Sequence, residues 1–84
     1  MKIILLSYGV LRDFIGSRLV LEVECREQNT CRVADLLKTL IARYPAAKAH
    51  LEKSVIVRSD KALKDSDEIS EGDIIVLLPP GSGG

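Results

Sequence analysis

The residues best placed to do chemistry in this 84-residue chain stand at its end, Pro79-Pro80-Gly81-Ser82-Gly83-Gly84, directly after the apolar run Ile74-Ile75-Val76-Leu77-Leu78. Proline has no amide hydrogen to give to a strand ladder, so pairing ends at Pro79. Two prolines in succession hold the exit extended, at about 3.1 Å per residue in a polyproline conformation. Six extended residues reach at most roughly 20 Å from a domain. The last four carry almost no side chain, and glycine permits close backbone approach and unusual angles. This shape suits delivery of the Gly84 carboxylate into a narrow tunnel. A carboxylate is a poor electrophile, so an adenylating partner using ATP has to activate it before a nucleophile attacks. That partner supplies the catalytic groups; this chain supplies the carboxyl. A Gly/Ser ending also reads as a flexible linker or an expression remnant. The proline pair joined directly to Leu77-Leu78 favours the delivered terminus.

Other candidate groups carry less. His50 lies between Ala49 and Leu51 with no acid or nucleophile beside it in sequence, so no catalytic site is built on it. Asp65, Asp67, Glu68, Glu71 and Asp73 form an acidic run without the spacing of a calcium loop, and a solvated loop is the plainer reading than a contact with a basic partner. No metal site is expected. The glycines open no helix, so there is no phosphate loop. Cys25 and Cys31 are too few for a four-cysteine metal or cluster site. With no secretory signal before them they read as reduced thiols of a cytoplasmic protein. Twelve basic residues balance twelve acidic ones, so no global field points to nucleic acid or to an anionic membrane. The opening Ile3-Ile4-Leu5-Leu6 is far too short to span a bilayer.

The elements that must position the tail follow from periodicity. Residues 2–8 read as a buried strand ending at Gly9. In 18–24, Leu19, Leu21 and Val23 alternate with Val20, Glu22 and Glu24, the mark of a strand with one buried face. The short link between the two suggests a hairpin. Val33, Leu36, Leu37, Leu40, Ile41 and Tyr44 then form one helical stripe, with Thr30 a candidate N-cap and Pro45 the stop. Residues 54–58 form a short strand, 59–60 a turn, and 61–70 a polar stretch anchored by Leu63 and Ile69. Glu71-Gly72-Asp73 makes a second turn before the last strand, 74–78. Phe14 is expected in the core. Leu77 and Leu78 face opposite ways, leaving one exposed unless a partner covers it. The order predicts an α+β β-grasp, or ubiquitin-like, fold: a mixed sheet of four to five strands with one main helix packed on one face. A crossover from the second strand through the helix makes part of the sheet parallel. Residues 1–78 form the domain and 79–84 an extended tail.

With these features the chain resembles the small subunit of molybdopterin synthase, a ubiquitin-like sulfur carrier. The resemblance rests on Tyr8-Gly9-Val10-Leu11-Arg12-Asp13, Val33-Ala34-Asp35-Leu36-Leu37, Tyr44-Pro45, Glu71-Gly72-Asp73 and Leu77-Leu78-Pro79-Pro80-Gly81-Ser82-Gly83-Gly84. It implies that Gly84 is adenylated by an E1-like enzyme, becomes a thiocarboxylate, and donates sulfur to cyclic pyranopterin monophosphate inside a large subunit. It implies a tetramer of two large and two small subunits, with no cofactor held permanently by this chain. By the same resemblance Leu78, Pro79, Pro80, Gly81, Ser82 and Gly83 meet the partner, together with Arg12. Three positions depart from the family pattern: Gly81 stands where an apolar residue is common, Arg58 where asparagine is, and Arg32 where threonine is.

Three other functions share parts of this logic. A protein modifier would join Gly84 to lysines of targets after the same adenylation. A sulfur carrier for thiamine or another cofactor usually lacks the proline pair. A β-grasp adaptor would bind through its sheet, with no chemistry at the tail.

Overall fold

The computed structural model describes residues 1–27 and 29–80. Its elements are β1 (Lys2–Ser7), α1 (Val10–Ile15), β2 (Arg18–Glu22), β3 (Cys31–Arg32), α2 (Val33–Arg43), a 3₁₀ turn (Pro45–Ala47), α3 (Lys48–Lys53), β4 (Val55–Arg58), β5 (Lys61–Ala62), β6 (Glu68–Ile69) and β7 (Ile74–Leu78). Five strands form one mixed sheet in the order β2-β1-β7-β4-β5, and β3 pairs with β6 in a small separate ribbon. This is the β-grasp architecture, with α2 as its main helix.

The expected parallel pairing is present, but it joins β1 to β7, from Ile4 beside Ile74 to Ser7 beside Leu77. β1 and β2 are antiparallel, as are β4 and β7. The last strand is therefore central, and the tail departs from the middle of the sheet. The predicted link between β1 and β2 contains a turn of helix, α1, whose Leu11 and Ile15 lie one turn apart and are buried.

Period-two alternation puts Ile3, Leu5, Leu21, Ile56, Ile75 and Leu77 on the inner face. There they share one core with Val33, Leu36 and Leu40 of α2. Arg32 occupies the N-cap position of α2, with extended angles, and Asp35 completes the start: its Oδ2 accepts the Arg32 N–H at 2.9 Å. The other oxygen, Oδ1, accepts the Arg26 N–H at 3.3 Å. A buried carboxylate needs such partners, and these two tie the approach from β2 to the helix. Thr30, the expected cap, instead bridges to Glu27 in a tight turn.

Two further expectations are corrected. Cys25 and Cys31 are joined as a disulfide, with their Cα atoms 4.8 Å apart. The tight turn between them folds the chain back and brings close two side chains that sequence reading treats as independent thiols. Phe14 is 37% exposed and rests against His50, ring centroids 5.2 Å apart. On α1 the inward positions belong to Leu11 and Ile15, which leaves Phe14 to join α1 to α3 at the surface.

Candidate functional site

The site is the end of β7 and the sheet face beside it. Leu77 is buried in the core, while Leu78 is half-buried on the opposite face, opposite Val55 of β4. The expectation that the two leucines point opposite ways is met. Tyr8 N–H donates to the Leu77 C=O at 3.2 Å, the last rung between the first and last strands. Pro79 then leaves the ladder.

Pro79 packs against the turn after β1. Gly9 has φ +60°, and a Cβ built there would lie 2.8 Å from Pro79 Cγ. Both observations require glycine: the backbone sits in the left-handed region, and the proline ring fills the space a side chain would need. Tyr8-Gly9 and Pro79-Pro80, far apart in sequence, thus make one structure at the exit. Pro79 is half-buried and Pro80 exposed. The expectations for Gly81, Ser82, Gly83 and Gly84 lie outside the described residues.

Arg12 projects from α1, whose first turn follows Gly9 directly, with its N–H on the Gly9 C=O at 3.1 Å. Its side chain is exposed and makes no ion pair among the described residues. Its helix starts at the same Gly9 turn against which Pro79 packs.

Sequence reading missed how far this exit is extended by the outward face of the sheet. Ile4, Leu6 and Tyr8 from β1 and its turn stand beside Ile74, Val76 and Leu78 of β7, with Val20 on one flank and Val55 and Val57 on the other. Tyr8, Val20, Val55 and Ile74 are exposed, and the others are half-buried. The period-two signal was present in β2. In β1 and β7, unbroken apolar runs normally mean cover on both faces, and that rule concealed the open side. A contiguous apolar surface of this kind marks a docking site.

The remaining polar groups act as scaffold. Asp65 and Asp67 accept the Ala34 and Val33 N–H groups through their backbone carbonyls, satisfying the start of α2. Asp73 Oδ2 accepts from Ser70 N–H and from Arg58 Nη1, both at 2.8 Å. Arg58 Nη1 also reaches the Glu68 C=O at 3.0 Å, and Arg32 Nη1 the Ser66 C=O at 2.8 Å. Two departures from the family pattern therefore pin the polar stretch before β7. The acidic run is part of that stretch, and among the described residues no group of three or more His, Cys, Asp or Glu could hold a metal. Among the described residues no helix is long and apolar enough to cross a membrane. Ser7 Oγ is buried beneath the exit without a hydrogen-bond partner.

Comparison with known proteins points the same way. The model of the ThiS family matches residues 6–84. No curated protein matches the chain. Among solved structures, SAMP1 from Haloferax volcanii superposes with a TM-score of 0.80 at 20% identity, covering 100% of both chains. A second structure of small archaeal modifier protein 1 from that organism gives 0.77 at 18% identity, covering 94% of this chain and 97% of that one. A Pyrococcus furiosus protein described as molybdopterin converting factor, subunit 1, gives 0.78 at 19% identity, covering 95% and 98%. At these identities the structural likeness speaks for the fold.

Proposed function

We propose, from the premise that this chain belongs to the ThiS family of ubiquitin-like sulfur carriers, that it is the sulfur-carrying small subunit of molybdopterin synthase. An E1-like enzyme uses ATP to convert the Gly84 carboxylate to an acyl-adenylate. Pyrophosphate leaves in that step; hydrosulfide released by the sulfur donor then attacks the acyl carbon and expels AMP, leaving a thiocarboxylate. Inserted into the large subunit, the loaded tail donates that sulfur to cyclic pyranopterin monophosphate. Two large and two small subunits make the working assembly. Such ATP-dependent activation belongs to the cytoplasm, the compartment this reading requires.

The observation that carries the proposal is the tail exit: a central strand ending in Pro79-Pro80, its departure shaped by Gly9 and flanked by an open apolar face. A partner docked on that face lies beside Pro79, where the chain leaves β7. Leu78 and Arg12 contribute to the same contact, and Gly83-Gly84 enter the partner.

The test is the intact mass of the chain after incubation with an activating enzyme, ATP and a sulfur donor. A shift matching exchange of one oxygen for sulfur, mapped to Gly84, supports the carrier role. Activity must then appear when large subunit and cyclic pyranopterin monophosphate are added, and one residue appended after Gly84 must abolish it. Absence of the shift with a demonstrably active enzyme overturns the reading. A second reading, conjugation through Gly84 to lysines, is favoured by the structural likeness to SAMP1. Lysine-linked adducts in cells, absent when Gly84 is deleted, would decide for it.

A further inference from the structure

The outer edge of β2 is the second surface of the molecule that asks for a partner. β2 ends the sheet order, so among the described residues one side of its backbone meets no other strand. The phase of its ladder decides which groups are left over. Ser7 N–H donates to the Ser17 C=O at 3.0 Å, and Val23 N–H donates to the Met1 C=O at 2.7 Å. In an antiparallel pair, hydrogen-bonded positions alternate with non-bonded ones. Leu19 and Leu21 therefore turn their backbone groups toward β1, and Arg18, Val20 and Glu22 turn theirs to the open edge. The side chains of these three residues share the outward face, where all are exposed and Val20 keeps 48% of its surface.

An edge with unpaired amides and an exposed valine at its centre is a template for another strand, which proteins ordinarily blunt with lysine, proline or a bulge. None of these lies within Arg18–Glu22. Instead, opposite charges flank Val20 at equal spacing: Arg18, which makes no ion pair among the described residues, and Glu22, whose Oε2 accepts from the Met1 ammonium and whose other oxygen is left to a partner.

We propose that β2 pairs antiparallel with β2 of a second copy of this chain, with Val20 on the two-fold axis. In that register Arg18 faces Glu22 of the second copy, Glu22 faces its Arg18, Val20 meets Val20 and Leu19 meets Leu21. The three outward-turned residues of each copy become hydrogen-bonded pairs, contributing about six interchain bonds. Opposite charges directly across a ladder attract and like charges repel, so the sequence Arg-Leu-Val-Leu-Glu is complementary to itself in this arrangement. A slip of one residue would turn Leu19 and Leu21 to the wrong face.

The result is an isologous dimer with a ten-stranded sheet. Its two-fold axis is perpendicular to the sheet, so both open apolar faces lie on one side and the two tails leave in opposite directions. β1 and β7 separate the pairing edge from Pro79, which leaves the exit free. So short a contact falls below the roughly 1,000 Å² of a stable interface, so the dimer is weak and concentration-dependent.

Sedimentation of the full chain from micromolar to millimolar concentration tests the proposal. Arg18→Glu or Glu22→Arg alone places like charges across both ends of the pairing and weakens association at least about tenfold. The double exchange Arg18→Glu/Glu22→Arg restores opposite pairs and returns association to within about threefold of the parent. Val20→Lys sets two ammonium groups on the axis and abolishes the dimer. Thermal melts by circular dichroism verify that each variant is folded. A chain that stays monomeric throughout overturns the proposal. So does a double variant as weak as the singles, or a dimer indifferent to all four variants, which would place self-association on another surface.

Discussion

Along β7, Ile75 and Leu77 are fully buried, whereas Ile74, Val76 and Leu78, one residue away on the other face, keep contact with solvent. Residue type does not separate the two sets. Cover does: the inner set shares a core with Leu36 and Leu40 of α2, and nothing among the described residues covers the outer set. The inner residues are needed for folding. The outer ones expose apolar area that folding does not use, and their retention beside the tail exit is what a docking partner requires.

The sharpest way to break this contrast is to truncate neighbouring leucines. Leu77→Ala opens a cavity and lowers stability by about 2–5 kcal/mol. Leu78→Ala loses under about 1 kcal/mol, since its side chain already meets water, yet on the proposed function it weakens sulfur transfer with the large subunit. Urea unfolding reads the first effect and the reconstituted transfer reaction the second. If Leu78→Ala unfolded the domain as readily as Leu77→Ala, the two faces would not be distinct.

The junction between the faces gives a smaller effect. Gly9→Ala forces a Cβ into the left-handed region and against Pro79, costing about 1–3 kcal/mol. Adding Pro79→Ala should recover the steric part and leave the backbone part, which a double-mutant cycle resolves. On the inner face, Ser7→Ala removes a buried hydroxyl without a partner. It should be neutral or stabilising by up to about 1 kcal/mol, in contrast to any truncation of the leucines around it.

The smallest effect lies at the outer edge. The Glu22 carboxyl is held below its ordinary range, first by the hydrogen bond from the Met1 ammonium, against an opposing loss of hydration, with help from the charges of Met1 and Lys2. A lowered native value means that the stabilisation is present above the ordinary glutamate pKa of about 4.3 and is lost as pH falls through the native one. Glu22→Gln should flatten that part of a plot of urea midpoint against pH.

The main strands, the long helix and the tail's point of departure were legible because each carries a periodicity or a breaker that does not depend on the rest of the chain. Residues 74–78 between Gly72-Asp73 and Pro79 are the clearest case. α1 and α3 escaped because one or two buried side chains each, Leu11 and Ile15 or Leu51, make no readable stripe. β3 and β6 are two-residue segments that exist only through each other. The role of Asp35 was hidden because both of its partners are backbone amides brought near by tertiary folding. The Cys25–Cys31 bond depends likewise on the tight turn between them. At the site, Leu78 and the prolines were readable, but their fit against Gly9 needed the parallel pairing of the two ends of the chain.

That pairing also governs when the protein can exist at all. Ile4 waits for Ile74, and Leu6 for Val76, so the centre of the sheet is closed by a contact of very long sequence separation, the slow kind to form. A chain leaving the ribosome cannot complete its core until β7 has been made. A product truncated anywhere before β7 lacks the central strand, its three residues of the open apolar face (Ile74, Val76 and Leu78) and the packing of Pro79 against Gly9. A partner that recognises the folded sheet therefore cannot bind a chain that stops before β7.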